Sequence, residues 1–197
     1  MDFQVLGPVS ARGGAGAVPI GGSRQQRILA VLLHEAGQVV PVSRMIEAVW
    51  RVRPATVRSQ VQIGVSRLRS VIREAGGGAA IRAEAAGYLF DLGDGCLDSA
   101  AFHRDVAAAR ALADCGRVGE AADHLHGALG MWHGPALAGV RDRPVLRAWA
   151  DALDEARIAV LDLCFRADLC AGRHGAVLGD LIDAAESTAP RVPPGTP

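Results

Sequence analysis

Residues 54–74 predict a long helix whose two sides differ sharply in chemistry. At about 100° per residue, the apolar side chains fall together on one side: Val57, Val61, Leu68 and Ile72. An adjoining face about 80° wide carries polar and basic side chains: Arg58, Gln62, Ser66, Arg69 and Arg73. Such a helix packs on a domain through its apolar side and offers hydrogen-bond donors outward. Because Arg can contact guanine, Gln can contact adenine, and Ser or Arg can contact phosphate, this composition suits a helix in the major groove of DNA.

The segments around this helix predict a compact motif of helices and short strands. Residues 23–36 predict a helix with Ser23 as its N-cap, and residues 42–50 predict a second helix capped by Ser43. The β-like stretch over 80–92 follows the long helix. Two helices joined by a turn, next to a basic helix and a β-hairpin, are typical of a winged helix-turn-helix.

The sequence beyond Asp98 is rich in Ala and acidic residues, and it has helical periodicity. Four further helices are predicted, over residues 98–114, 118–132, 144–171 and 175–187. We therefore expect a mainly α fold with small β elements (α+β). Its predicted parts are a winged-helix domain over 1–95, a helical domain over 96–188, and a disordered tail over 189–197.

The zero net charge of the 197-residue chain conceals an uneven distribution of basic residues. Residues 1–95 hold 11 Arg against 7 acidic residues, whereas residues 96–197 hold 10 Arg against 14 acidic residues. Within 41–73 there are seven Arg and one acidic residue, Glu47. Such a local basic block indicates a partner that carries phosphates.

Several motifs, in this order, give the chain a family resemblance. The stretches GGSRQQRILAVLL, VVPVSRMIEAVW, PATVRSQVQIGVSRLRSVI and GYLFDL resemble the DNA-binding domain of the Streptomyces antibiotic regulatory protein family. DSAAFHRDVAAARAL and EAADHLHGALGMWHGPALAGV are similar to the start of that family's bacterial transcriptional activation domain, an all-helical, tetratricopeptide-like module. The resemblance covers about residues 2–175 and rests most on VSRLR followed by ALGMWHGPAL.

The resemblance implies a cytoplasmic activator of secondary-metabolite (antibiotic) biosynthesis genes. Such a protein binds double-stranded DNA at direct repeats near the promoter −35 element. Binding to two adjacent repeats is compatible with a homodimer on DNA. It recruits RNA polymerase through the σ factor and other subunits. The resemblance also implies a longer helical module than this chain has. The alternative prediction is therefore an interaction module that binds another regulator or polymerase without activating transcription.

The resemblance also assigns roles to individual residues. It makes the helix with Val65–Arg69 the recognition helix, with Arg58 and Gln62 facing bases, and makes Gly87–Tyr88 part of a wing. We expect DNA contacts from eight residues, the last three to the DNA backbone: Arg58, Gln62, Ser66, Arg69, Arg73, Arg53, Arg24 and Arg27. Arg67 falls outside the predicted face, so a phosphate contact or an intramolecular role is expected for it. The family usually has a larger residue at the position of Gly64, so no base contact is expected from this position.

Other classes of protein find little support in the sequence. The four cysteines lack CxxC spacing, and His124, His126 and His133 have no further ligand at a suitable spacing, so no metal site or cofactor is expected. No catalytic motif is present, so we expect no enzyme, and a ligand-binding regulator would need a pocket that the sequence does not reveal. Without a long apolar run or a secretion signal, we expect no membrane association, a cytoplasmic location and reduced cysteines.

Overall fold

The structure is a computed structural model that describes residues 1–76 and 78–173. In these ranges the chain forms six helices: α1 (Ser23–His34), α2 (Val42–Val49), α3 (Val57–Glu74), α4 (Asp98–Asp114), α5 (Val118–Leu129) and α6 (Pro144–Cys170). It also forms seven short strands: β1 (Asp2–Gln4), β2 (Ser10–Gly13), β3 (Gly16–Ala17), β4 (Val39–Pro41), β5 (Ala80–Glu84), β6 (Gly87–Asp91) and β7 (Cys96–Leu97). The predicted α+β class is confirmed.

Helices α1, α2 and α3 pack together beside a three-stranded antiparallel sheet. The sheet has the order β4–β6–β5, and β5 and β6 form a hairpin with its turn at residues 85–86. The four apolar residues predicted for the first helix are all buried: Ile28, Leu29, Leu32 and Leu33. This arrangement is the predicted winged helix-turn-helix, in which the β5–β6 hairpin is the wing.

A second sheet links the start of the chain to the start of the helical half. Its order is β3–β2–β1–β7, and β1 pairs with β7 in parallel through Asp2 and Phe3. Asp98, the first residue of α4, accepts hydrogen bonds from the backbone N–H groups of Val5 and Leu6. The first strand is therefore fixed directly against the helical half.

The helical half consists of the antiparallel helices α4 and α5, followed by a loop and the long helix α6. In the loop, the N–H groups of His133 and Leu137 donate to the carbonyls of Leu6 and Val5 at 2.8 and 2.9 Å. The predicted helix over 175–187 and the predicted tail over 189–197 lie outside the described residues.

One apolar core extends through both halves, from Phe3 in β1 to Cys164 in α6. Because the core is continuous, the three-helix motif and the helical half share packing. Among the described residues, no helix is both long and apolar enough to cross a membrane.

The predicted helix caps are wrong. Gly22 and Pro41 occupy the N-cap positions of α1 and α2, and neither helix has a side-chain cap hydrogen bond. Ser23 and Ser43 lie inside the first turns instead. Packing of the buried faces therefore stabilises these helices without the capping bonds that the sequence suggests.

Candidate nucleic-acid interface

Helix α3 is held by an apolar side that packs into the three-helix motif. Val61, Val65 and Leu68 are fully buried, and Ile72 is almost so. Gly64 lies on this buried side, where the Nε2 of Gln25 in α1 donates to the Gly64 carbonyl at 3.1 Å. Position 64 therefore faces α1 and not the exposed side of the helix.

Gln60 joins α3 to both helices that precede it. Its Oε1 accepts a hydrogen bond from the Trp50 indole Nε1 at 3.2 Å, and Arg24 NH1 lies 3.4 Å from the same oxygen. Its Nε2 donates to Thr56 Oγ1 at 3.1 Å. The guanidinium of Arg24 also lies over the Trp50 ring, 5.5 Å from its centroid. These contacts fix the N-terminal end of α3 relative to α1 and α2.

The opposite side of α3 presents a polar face, which we call the reading face. Its exposed polar residues are Arg58, Ser59, Gln62, Ser66, Arg67 and Arg73. In the described part of the chain, none of its three arginines forms an ion pair with a carboxylate. Four of the eight predicted contact residues thus lie together on one exposed surface: Arg58, Gln62, Ser66 and Arg73.

Arg69 lies at the edge of this face and contacts the wing. Its Nε donates to the Ile81 carbonyl in β5 at 2.8 Å, and its guanidinium lies 5.8 Å from the centre of the Tyr88 ring in β6. The side chain is therefore engaged within the protein, where it ties α3 to the β5–β6 hairpin.

The three arginines predicted to contact the DNA backbone lie in different surroundings. Arg53 is exposed beside Glu47 at 3.2 Å, and Arg24 lies at the exposed start of α1. Arg27 has a side chain only 16% exposed, and it pairs with Asp142 in the loop before α6 at 2.9 Å. That ion pair ties Arg27 to the helical half, and a DNA contact from Arg27 stays a prediction.

The wing offers little positive charge at its tip. The exposed tip consists of Glu84, Ala85 and Ala86, while Arg82 on β5 pairs with Asp91 on β6 at 2.7 Å. Gly87 is buried, because β6 runs so close to β4 that an added Cβ would overlap the Val40 carbonyl. Gly87 and Tyr88 therefore belong to strand β6 of the wing, directly after its exposed tip.

The sequence-based assignment missed part of the reading face. Ile63 is 52% exposed among its polar neighbours, and Ser59 and Arg67 are exposed beside it. The prediction did not take the position of the wing into account. Because the wing covers the Arg69 side of α3, the exposed face extends from the predicted residues toward Ile63 and Arg67. An apolar side chain on such a face can contact the methyl group of thymine.

Two family comparisons cover most of the chain in consecutive segments. Residues 20–90 match the family described as "Transcriptional regulatory protein, C terminal". Residues 97–190 match the family described as "Bacterial transcriptional activator domain". The first segment contains α1, α2, α3 and the wing, and the second begins one residue before α4.

Curated relatives and a solved structure align along nearly the whole chain. The transcriptional regulatory protein EmbR of Mycobacterium tuberculosis is 31% identical over 184 residues, which are 92% of this chain and 47% of EmbR. The regulatory protein DnrI of Streptomyces peucetius is 28% identical over 190 residues, covering 92% of this chain and 70% of DnrI. The structure of M. tuberculosis EmbR in complex with a low-affinity phosphopeptide aligns with a TM-score of 0.85 at 30% identity, covering 93% of this chain and 49% of that one.

The chain thus spans about half the length of EmbR, and its two matched segments follow one another along the chain. The relatives are named as regulatory proteins, the matched families are described as transcriptional, and the solved structure shares the fold. All three comparisons therefore indicate a transcriptional regulator. The chain therefore belongs to the Streptomyces antibiotic regulatory protein family of transcriptional regulators.

Proposed function

We propose that this chain activates transcription of secondary-metabolite genes by binding direct repeats near the promoter −35 element. In this proposal α3 lies in the major groove, and the helical half contacts RNA polymerase, including its σ factor. Two copies bind adjacent repeats as a homodimer on DNA. The protein acts in the cytoplasm and carries out no chemical step on a substrate.

The observation that carries this proposal is the reading face of α3. Arg58, Arg67 and Arg73 project from it without a carboxylate partner among the described residues, next to Gln62 and Ser66. Unpaired arginines suit phosphates or guanine, and Gln suits adenine. The tethered ends of α3, at Gln60 and Arg69, support a rigid helix that can enter a groove without rearranging.

The first experiment identifies the DNA site and its salt dependence. The full chain is used to select binding sites from a random double-stranded library, and the selected sequence is compared with a scrambled one by fluorescence anisotropy at several salt concentrations. We expect a strong preference for the selected sequence. Equal and weak binding to both would contradict the proposal, because it would show electrostatic attraction alone.

Two variants separate the roles of individual side chains. If Arg58 contacts a phosphate, Arg58→Ala lowers the slope of log affinity against log salt by about 1, with similar losses on all sequences. Gln62→Ala instead relaxes the preference for one base pair, at a cost of about 1–3 kcal/mol. Arg104→Ala is the matched control, since it removes an exposed arginine from α4, outside the three-helix motif.

A second measurement tests activation separately from binding. Transcription from a promoter that carries the selected site is measured with purified RNA polymerase, with and without the full chain. We expect the chain to raise transcript levels, and the Gln62→Ala variant to lose this effect on the same promoter. Site-specific binding with unchanged transcription would support the alternative, a DNA-bound interaction module that does not activate.

A further inference from the structure

Three potential metal ligands meet between α5 and α6, away from the reading face. They are His126 in α5 and Cys164 and Asp168 in α6, and one ligand atom from each lies within 4.8 Å of the others. His126 Nε2 is 2.9 Å from Asp168 Oδ2, and Cys164 Sγ is 3.5 Å from the imidazole nitrogen and 3.7 Å from the carboxylate oxygen. The spacing Cys164 to Asp168 places both side chains on one face of α6, one turn apart.

Asp168 is the unusual member of this cluster. The residue is completely buried, with 0% exposure, and its Oδ1 has no hydrogen-bond partner in the described part of the chain. A buried carboxylate is costly unless it is paired with a cation or fully hydrogen-bonded. A metal ion beside Asp168 would supply the positive charge that this carboxylate needs.

The distances between the three ligand atoms fit zinc. Zinc binds sulfur at about 2.3 Å and nitrogen or oxygen at about 2.0–2.2 Å, so tetrahedral geometry separates sulfur from either lighter atom by roughly 3.6 Å. The observed separations from Cys164 Sγ are 3.5 and 3.7 Å. The 2.9 Å contact between His126 and Asp168 would open by roughly 0.4 Å to admit the ion.

We propose that His126, Cys164 and Asp168 bind a Zn²⁺ ion that ties α5 to α6. The imidazole donates its Nε2 lone pair, the carboxylate donates an oxygen, and the Cys164 thiol releases its proton to solvent and binds as thiolate. One further donor completes the four-coordinate shell that zinc prefers. Nitrogen, sulfur and oxygen donors together favour zinc over the hard cations Mg²⁺ and Ca²⁺, which prefer oxygen alone.

This site would make the helical half sensitive to zinc while leaving the reading face unchanged. The cluster lies at the contact between α5 and α6, and the ion would stabilise the folded arrangement because the unfolded chain does not hold the three ligands together. The proposal does not depend on DNA binding, so the two can fail separately.

The test uses Co²⁺ as a spectroscopic substitute for zinc in the full, reduced chain. We expect one equivalent of Co²⁺ to bind, with the d–d absorption of a tetrahedral site and a near-ultraviolet band from thiolate-to-cobalt charge transfer. Added Zn²⁺ should displace the cobalt and raise the midpoint of thermal unfolding. Each of three variants should weaken Co²⁺ binding about tenfold or more, as metal-site changes generally do: His126→Gln, Cys164→Ser and Asp168→Asn.

Matched controls separate this site from other thiols and imidazoles. His124→Gln changes an exposed histidine two residues earlier on α5, and Cys115→Ser changes an exposed cysteine after α4. Both controls should bind Co²⁺ like the unmodified chain. Circular dichroism shows whether each variant is folded, and the cobalt spectrum of the unmodified chain is decisive even where a variant fails to fold.

Two results would overturn the proposal. One is the absence of a thiolate charge-transfer band when the unmodified chain is saturated with Co²⁺. The other is the same band and affinity in a folded Cys164→Ser variant. In either case the three residues form a hydrogen-bonded cluster and not a metal site.

Discussion

Gly64 shows how a residue that looks unfavourable in the sequence can be required by packing. Glycine inside a helix costs about 0.5–1 kcal/mol relative to alanine, and on that ground Gly64 appears as a weak point of α3. In the structure, α1 crosses α3 at this residue, and an added Cβ would overlap Ile28 Cδ1 and lie 3.1 Å from Gln25 Oε1. The glycine therefore permits the close crossing that positions the reading face.

Replacing Gly64 by a larger residue should destabilise the protein. We expect Gly64→Val to lower the free energy of unfolding by about 1–3 kcal/mol, because the buried Ile28 must move to make room. Urea denaturation followed by circular dichroism measures the change. Gly127→Val is the control, since Gly127 lies in α5 with no atom within 4 Å of an added Cβ. Equal midpoints for the two variants would contradict this account of the crossing.

The sequence predicted the bounds of α3 well, over 54–74 against the observed Val57–Glu74, but it predicted less well which of its polar side chains are exposed. Its periodicity predicted the buried Val61, Leu68 and Ile72 correctly, because an apolar stripe is a property of the segment itself. The contacts of Arg69 depend on the wing, which follows α3 in the sequence. The periodicity of α3 alone therefore could not predict the hydrogen bond from Arg69 to Ile81. Neighbouring elements decide which part of a polar face stays exposed.

Ile63 provides a test of that corrected orientation. We expect Ile63→Asn to leave the stability within about 0.5 kcal/mol, since the side chain is 52% exposed. If the proposed reading face is correct, the variant should lose its preference for thymine at one position of the selected site. Repeating the site selection measures this preference, with Ile158→Asn on α6, also exposed, as the control. An unchanged selected sequence would place Ile63 outside the DNA contact.

A ring stack joins α1 to α6 and should respond to pH. His34 lies 4.5 Å from Trp149 between ring centroids, at an interplanar angle of 28°. Burial lowers the pKa of His34 most, while Glu35 raises it and Arg44 lowers it. Because the folded pKa lies below the ordinary value of about 6.5, this contact contributes stability above that pH and loses it as the pH falls through the folded pKa.

The corresponding variant should reduce the pH dependence. We expect thermal unfolding of the unmodified chain to shift downward between about pH 7.5 and about pH 5.5, and His34→Phe, which keeps a ring without a titrating group, to shift less. The exposed His124 serves as comparison: His124→Gln should behave like the unmodified chain. Identical shifts in all three proteins would show that the stack does not carry the pH dependence.

The two halves of the molecule are joined by contacts between residues far apart in the sequence, which local sequence patterns do not predict. Helix bounds could be predicted because each follows from a local pattern, and α4 is found over the predicted residues 98–114. The pairing of β1 with β7, the loop along Val5 and Leu6, and the His126–Cys164–Asp168 cluster all join distant segments. Such contacts depend on the completed fold, so spacing along the chain contains little sign of them.

Asp98 tests how strongly the two halves depend on each other. Its carboxylate accepts the N–H groups of Val5, Leu6 and Ser99, so Asp98→Ala leaves backbone donors of the first segment without a partner. We expect a loss of about 1–3 kcal/mol in the free energy of unfolding. Asp94→Ala, which removes an exposed carboxylate four residues earlier, should change it by less than about 0.5 kcal/mol. Urea denaturation distinguishes the two, and equal losses would contradict a special role for Asp98.

The parallel pairing of β1 with β7 also sets an order of events on the ribosome. The residues around β1 leave the exit tunnel long before their partners are made, since Asp98 follows Val5 by 93 residues and the loop at Leu137 comes later still. Until then β1 lacks the neighbour that completes one edge of its sheet, and contacts of this range are slow to form. A nascent chain can thus have all of α3 synthesised before β1 is fully paired, so the winged-helix half reaches its final state only when much of the helical half has been translated.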